Sequence, residues 1–193
     1  PDTPYARDEL TRRAVDRQKK NIIELTRVSC DDYRRMEKLP LAVMADNVRS
    51  MLNVGSMLRT ADAFLVSEMI LAGITGTPPH PEIAKTALGA ENSVRWRHVP
   101  DAAAECRRLK AGGWRICALE QAHDSVPLDE FTPAPGEKYL LVAGNEVEGV
   151  SQAIVDMADA VLEIPQCGVK HSLNVSVSAG IAVWHLFSRL RLG

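Results

Sequence analysis

The chain has 193 residues, of which 46% are hydrophobic and 25% charged, and this suits a single globular domain with a sizeable core. The formal net charge of −2 argues against a protein that coats nucleic acid indiscriminately, although basic residues concentrate before position 39. Apolar runs all fall short of the roughly 20 residues of a membrane span, and the polar start is not typical of a secretory signal. We therefore expect a cytoplasmic protein with no membrane partner and four reduced cysteines.

Apolar strands and helical patterns alternate along the chain. Residues 4–28 carry charged residues with spaced apolar positions, which predicts a surface or extension helix. The predicted strands are 41–46, 68–73, 114–119, 139–144 and 160–164. The predicted helices are 53–64, a turn at 84–88, 101–110, one from about 151 and a long one from about 174, with proline-rich loops at 73–83 and 131–137. This alternation predicts an α/β fold whose mostly parallel sheet is covered by helices on both faces.

An arginine lies within the apolar pattern of the predicted helix 53–64. It belongs to Asn53-x-Gly55-x-x-x-Arg59, in which the glycine permits a close approach of the backbone to another group. A guanidinium is planar, charged and suited to phosphate or carboxylate. Two interpretations stay open here: an anion-binding side chain, or a surface arginine whose stem covers apolar neighbours.

A carboxylate follows the predicted strand 139–144, in Gly144-Asn145-Glu146-x-x-Gly149. Parallel sheets bind ligands at the C-terminal ends of their strands, so Glu146 is placed to pair with Arg59 or to hold a ribose hydroxyl. The alternative is a solvated turn acid. The GxGxxG and GxxxxGK[ST] patterns are absent, and with them the usual dinucleotide and ATP-phosphate signatures.

Ser172-Leu173-Asn174 opens the long C-terminal helix. Serine and asparagine are favoured N-caps, so capping alone explains them. A helix start also presents unpaired N–H groups that bind polar ligands, and this second interpretation stays open. The neighbouring His171 is more typical of polar surface than of a catalytic base. Histidine and cysteine spacings fit no metal-ligand pattern, so we expect no metal.

In this order, the three segments resemble the SpoU/TrmH branch of the SPOUT methyltransferases. The resemblance covers about residues 40–191, and its motifs correspond to 53–61, 141–149 and 164–177. Leu65 departs from the family pattern, which usually has glycine after the Ala-Phe pair. The resemblance implies a basic helical extension at 1–38, a SPOUT methyltransferase domain at 39–193 with a C-terminal trefoil knot, S-adenosylmethionine as methyl donor, and an obligate homodimer.

The resemblance also implies 2′-O-methylation of a ribose in tRNA or rRNA. The implied catalytic residues are Asn53 and Arg59 near the reacting ribose, Glu146 holding Arg59 or the RNA, and Ser172 and Asn174 organising the pocket. The implied cofactor contacts are Val142, Ala143, Gly144, Asn145, Ile164, Gln166, Gly168, Ser172 and Leu173. Whether Arg59 accepts the proton or clamps a phosphate stays open.

Two rival functions stay open beside this one. A non-catalytic RNA-binding or assembly factor has the same fold, but a degenerate motif would signal it, and both Arg59 and Asn174 are present. A methyltransferase acting on a non-RNA substrate is the other rival. The basic segment 1–38 favours RNA because lysine and arginine attract phosphates.

Overall fold

The computed structural model describes residues 19–21 and 28–192, so the predicted helix 4–28 lies almost wholly outside the described residues. Its strands are β1 (Leu41–Asp46), β2 (Glu68–Ala72), β3 (Trp96–Val99), β4 (Trp114–Leu119), β5 (Val126–Pro127), β6 (Lys138–Ala143) and β7 (Ala160–Glu163). Its helices are α1 (Cys30–Arg35), α2 (Met51–Ala63), α3 (Pro81–Ala87), α4 (Ala90–Ser93), α5 (Ala102–Ala111), α6 (Gln152–Met157) and α7 (Val175–Arg191).

The described strands form one parallel sheet in the order β3-β2-β1-β6-β4-β7-β5. β1 pairs with β2 on one side and β6 on the other, so that Ala42 lies between Glu68 and Leu140. β4 then pairs with both β6 and β7. The prediction of an α/β fold with a parallel sheet is confirmed, and the C-terminal ends of β4, β6 and β7 meet at one edge.

The central strands are apolar along their length because both faces of the sheet are covered. Every residue of β1 is buried, and its side chains alternate between two core layers. Val43 and Ala45 belong to the layer that α2, α3 and α7 cover. Ala42 and Met44 belong to the other layer, under α5 and α6. The predicted cover of helices on both faces is therefore confirmed.

Helix starts follow the caps that the sequence provides. Asp101 accepts a hydrogen bond from the Ala104 N–H at 2.9 Å and begins α5, as predicted. Asn174 caps α7 in the same way. α2 begins earlier than predicted because Ser50 is its cap. α3 also begins earlier, since His80 caps it.

Four described elements were not predicted: α1, α4, β3 and β5. β3 is an edge strand whose Arg97 pairs with the carboxylates of Glu68 and Glu105, so it lacks an apolar alternation. β5 has two residues, one of them Pro127, and lies at the opposite edge. Short edge strands with polar residues or proline carry little pattern.

α2 packs closely on α3 because Gly55 has no side chain. A Cβ at this position would lie 2.1 Å from the Thr86 Oγ1 and 2.3 Å from the Ile83 carbonyl oxygen. The predicted close approach at Gly55 is confirmed, and the neighbour is a helix. Leu65, just beyond α2, has a φ of +54°, which explains why glycine is favoured there.

α2 also runs beside α7. The Phe64 ring lies 5.6 Å from that of Trp184 and 5.2 Å from that of Phe187. Near the middle of the pair, a Cβ on Gly180 would lie 3.9 Å from the Thr60 hydroxyl oxygen. This side-by-side packing brings the start of α2 to the start of α7, at the edge where β6 ends.

Candidate active site

A cavity of about 400 Å³ opens at the C-terminal edge of the sheet. Its walls are the end of β4 (residues 119–121), the turn after β6 (144–149) and the segment after β7 (164–175). Six of the predicted cofactor residues line it: Gly144, Asn145, Ile164, Gln166, Ser172 and Leu173. The sequence therefore identified two of the three walls.

The turn after β6 is organised by the buried side chain of Asn145. Its Oδ1 accepts hydrogen bonds from the N–H groups of Val147 and Glu148, at 2.8 and 3.2 Å, and its Nδ2 donates to the Asn47 carbonyl at 2.8 Å. Asn145 and Gly149 also exchange two backbone hydrogen bonds of 2.9 Å. The turn is thus fixed internally and tied to the end of β1.

Glu146 directs its carboxylate to the N-terminus of α2. Its Oε2 accepts from the Arg49 N–H, and its Oε1 accepts from the Ser50 N–H and the Asn53 Nδ2, each at 3.0 Å. Burial alone would raise the pKa of Glu146, but these hydrogen bonds outweigh it and lower the pKa below the ordinary glutamate value. The carboxylate therefore stays ionised and stabilises the helix start.

Asn53 continues this contact to the third motif. Its Oδ1 accepts a hydrogen bond of 3.1 Å from the Asn174 Nδ2. The Asn174 Oδ1 in turn accepts from the Ser176 and Val177 N–H groups at 2.9 and 3.3 Å. Glu146 and Asn53 are 93 positions apart in the sequence, and Asn53 and Asn174 are 121 apart. The three side chains thus form one chain of hydrogen bonds, Glu146–Asn53–Asn174.

Ser172 and Asn174 have different roles in the structure. Asn174 is the N-cap of α7, as one sequence interpretation predicted. Ser172 lies in the cavity wall, and its hydroxyl makes no hydrogen bond to any residue that the structure describes. Its hydroxyl group therefore stays available to a ligand.

Arg59 is exposed on α2 and forms no hydrogen bond or ion pair with the described residues. It lies six residues beyond Asn53, about 9 Å along the helix axis, and does not line the cavity. The suggested pairing of Arg59 with Glu146 does not occur within the chain, because the carboxylate is occupied by donors at the start of α2.

Three predicted cofactor residues lie outside the cavity wall. Val142 and Ala143 are 0% and 1% exposed within β6, where their side chains belong to the core layers. Gly168 is exposed, and a Cβ there would meet no atom within 4 Å. Val142 and Ala143 can contact a ligand only through their backbone, and the cofactor assignment of all nine residues stays a prediction.

The third wall, at the end of β4, was missed. Glu120 accepts from the Val150 N–H at 2.9 Å and from the Gln121 N–H at 2.8 Å. The Gln121 Nε2 donates to the His171 carbonyl at 2.9 Å, which ties β4 to the segment after β7. The rule that identified Glu146, polar residues directly after a parallel strand, applies equally to these two.

The described residues provide neither a metal-binding cluster nor a membrane-spanning helix. No group of three or more His, Cys, Asp or Glu side chains in residues 19–21 and 28–192 is arranged to hold a metal ion. Among the helices described, none combines the length and apolar character needed to cross a bilayer.

The model of the SpoU rRNA Methylase family matches residues 40–184, three quarters of the chain. The chain belongs to this family. The SpoU match includes β1, α2 and all three walls of the cavity, and it begins after α1. Within it, the three motifs are the segments that the hydrogen bonds of Glu146, Asn53 and Asn174 join.

Named relatives agree with the SpoU assignment. The chain is 30% identical over 163 residues to the 23S rRNA (guanosine-2′-O-)-methyltransferase RlmB of Vibrio parahaemolyticus. The aligned region is 83% of this chain but only 64% of that protein, so the chain spans less than two thirds of this relative's length. It is 31% identical over 164 residues to the tRNA (guanosine(18)-2′-O)-methyltransferase of Thermus thermophilus, covering 83% and 81%. An AdoMet-bound rRNA methyltransferase from Sinorhizobium meliloti superimposes with a TM-score of 0.74 and 28% identity, covering 83% of this chain and 61% of that one.

Proposed function

We propose that this protein is an S-adenosylmethionine-dependent methyltransferase that modifies the 2′-hydroxyl of a ribose in tRNA or rRNA. The observation that carries the proposal is the hydrogen-bonded chain Glu146–Asn53–Asn174, which joins the three SpoU motifs at the rim of one cavity. The relatives named for 2′-O-methylation of guanosines in rRNA and tRNA support the same chemistry.

The cavity fits a folded nucleoside cofactor. Leu119, Ile164 and Leu173 offer apolar surface to a flat base, and the turn 144–149 offers peptide groups to its edge. Gly144 allows the turn to close, since a Cβ there would lie 2.1 Å from the Gly149 carbonyl carbon. When bound, S-adenosylmethionine supplies a methyl group activated by its sulfonium.

The chain's own residues position the RNA sugar. The Ser172 hydroxyl faces the cavity, and Asn174 and Asn53 are held in fixed orientations beside it. An arginine stays protonated in proteins, so we assign Arg59 to clamp an RNA phosphate and to stabilise the charge that develops on the ribose oxygen. Fixed positioning of reacting groups contributes about 7–11 kcal/mol when the geometry is right.

We further propose that the protein acts as a homodimer. Val177, Ile181 and Trp184 form an apolar stripe on α7 and are 50%, 40% and 50% exposed, and Leu52 of the adjacent α2 is 40% exposed. A two-fold interface over this stripe would bury it. It would also explain why Arg59, exposed on α2, lies away from its own cavity: Arg59 of the partner subunit would complete the site.

We also propose a knot in the C-terminal part of the chain and a cytoplasmic location. β6 lies between the earlier strands β1 and β4, and the segment after it is tied to both sides. The Ser151 N–H donates to Asp46 at 3.0 Å, and the Val150 N–H donates to Glu120. The four free cysteines suit a reducing compartment.

Transfer of radiolabelled methyl groups tests the proposed activity. The protein is incubated with labelled S-adenosylmethionine and bulk tRNA or rRNA, and the RNA is digested to nucleosides. We expect label in 2′-O-methylated nucleosides. RNA binding without transfer would support the assembly factor, and binding of the cofactor with no labelled RNA would support another substrate. Label in a base would contradict the proposal.

Mixing of inactive subunits tests the composite site. Arg59→Ala and Asn174→Ala proteins are purified separately, unfolded together and refolded as a mixture. If Arg59 acts across the interface, random pairing restores up to about a quarter of wild-type activity, because half the dimers are mixed and each of these has one intact site. No recovery, with refolded wild-type protein active in parallel, would place Arg59 in its own subunit's site.

A further inference from the structure

Glu120 is a half-buried carboxylate in the cavity wall and has no part in the proposed methyl transfer. It follows β4, the strand that lies between β6 and β7, so it stands between the two other walls. Its backbone N–H donates to the Leu162 carbonyl at 3.1 Å, and Leu119 precedes it. The carboxylate is therefore next to the apolar part of the cavity.

The orientation of this carboxylate is fixed, yet its accepting capacity is not exhausted. One oxygen accepts from the Gln121 N–H at 2.8 Å and the other from the Val150 N–H at 2.9 Å. An ionised carboxylate has about four lone-pair sites, so each oxygen retains one for a further donor. A preorganised pair of acceptors of this kind suits two adjacent hydroxyl groups.

We propose that Glu120 binds the ribose 2′- and 3′-hydroxyls of the cofactor, an inference that rests on the proposed function. A carboxylate only accepts hydrogen bonds, and the donors of S-adenosylmethionine are its adenine amino group, its two ribose hydroxyls and its ammonium. The ribose is bonded directly to the base, so a base against Leu119 and Ile164 brings the diol to Glu120. An acidic residue beyond a parallel strand holds a ribose hydroxyl in the same way in dinucleotide-binding sheets.

The other acids of the cavity differ from Glu120 in their environment. Glu146 is bonded to the start of α2 by three hydrogen bonds. Glu148 lines the cavity and is exposed, but its carboxylate forms no hydrogen bond or ion pair with the described residues. Glu148→Gln therefore provides a matched control, since it removes the same charge from the same cavity without touching an oriented carboxylate.

Calorimetric binding of three ligands to the 193-residue chain tests the inference. The ligands are S-adenosylhomocysteine, its 2′,3′-dideoxy analogue, and methylthioadenosine, which keeps the ribose but lacks the ammonium. Glu120→Gln should weaken binding of S-adenosylhomocysteine about tenfold or more, as expected for a hydrogen bond to a charged acceptor, and Glu148→Gln should leave it within about twofold. Glu120→Gln should weaken methylthioadenosine by a similar factor.

The dideoxy analogue separates ligand contact from a structural role. Wild-type protein should bind it about as weakly as Glu120→Gln binds the parent ligand, and the variant should show no further loss. If the substitution and the removal of the hydroxyls each weaken binding independently, so that their factors multiply, the inference is overturned. Glu120 would then act only through its hydrogen bond with the Val150 N–H. An effect that disappears with methylthioadenosine would overturn it in favour of the ammonium.

Two further results distinguish failure of the inference from failure of the proposed function. If wild-type protein binds no S-adenosylhomocysteine, the proposed function fails. If wild-type binds and Glu120→Gln binds equally well, only the role of Glu120 fails. Should the variant not fold, a crystal structure of wild-type protein with S-adenosylhomocysteine decides: we expect ribose hydroxyls within about 3.2 Å of the Glu120 oxygens, and larger separations contradict the inference.

Discussion

Replacing Glu146 by glutamine tests the contact that joins the second motif to the first. The wild-type carboxylate accepts three hydrogen bonds of 3.0 Å from the start of α2. Glutamine keeps one accepting oxygen, but its NH₂ group takes the place of the second oxygen and faces an N–H donor with which it cannot bond. The variant also loses the attraction between a negative charge and the helix N-terminus.

The expected loss of stability is modest because the carboxylate is exposed. One lost hydrogen bond and the charge–helix attraction together suggest about 1 kcal/mol, a value already reduced for solvent screening. Urea unfolding at pH 7 measures this difference in the free energy of unfolding. Glu148→Gln, on the same turn, should unfold at nearly the wild-type urea concentration.

The pH dependence provides the sharper test. The pKa of Glu146 is lowered in the folded protein, so the folded carboxyl binds fewer protons than the unfolded one over the acidic range. Its contribution is complete above the ordinary glutamate pKa and is lost as the pH falls through the folded value. The difference between wild type and Glu146→Gln should therefore shrink on acidification. A constant difference from neutral to acidic pH would refute this reasoning, as would equal effects of the two variants.

A pair of glycine substitutions tests the helix packing, and cysteine labelling tests burial and the cavity. Gly55→Ala should lower the free energy of unfolding by about 3 kcal/mol, because its Cβ would meet α3 at 2.1 Å, whereas Gly168→Ala, with no atom near its Cβ, should change it by less than about 0.5 kcal/mol; equal urea midpoints would contradict this. Burial raises the pKa of Cys106 and Cys117 to about 12, so native protein at pH 8 should react with iodoacetamide at its exposed cysteines and not at these two. S-adenosylhomocysteine should slow the labelling of Cys167, next to the cavity, and not that of the exposed Cys30 in α1. Equal slowing of both, measured by mass spectrometry, would contradict the assignment of the segment after β7 to the cofactor site.

The central strands could be predicted because their burial on both faces leaves a continuous apolar run. β1 and β6 are such strands, and their predicted bounds are within one residue of the observed ones. β3 could not be predicted in the same way. Its side chains are half-exposed or exposed apart from Val99. The charge of Arg97 is balanced by Glu68 and Glu105, which only folding brings near it.

The site was predictable in location and not in its contacts. Parallel strands place their C-terminal ends at one edge, so polar residues after them were expected to meet. The partner of Glu146 depends on how α2 packs between α3 and α7. The sequence alone suggested Arg59, a ribose hydroxyl or solvent, and it gave no sign of the backbone at the start of α2. Asn53 was assigned to the substrate, and the structure adds a second role for it, as the link between Glu146 and Asn174.

A map of ribose methylation in cellular RNA tests the central claim most directly. Total RNA is compared between the source organism and a strain that lacks this gene, complemented with the wild-type chain or with Arg59→Ala. The account predicts that at least one 2′-O-methyl group disappears on deletion and returns with the wild-type chain but not with the variant. An unchanged map, or a lost methyl group that returns fully with Arg59→Ala, would contradict it.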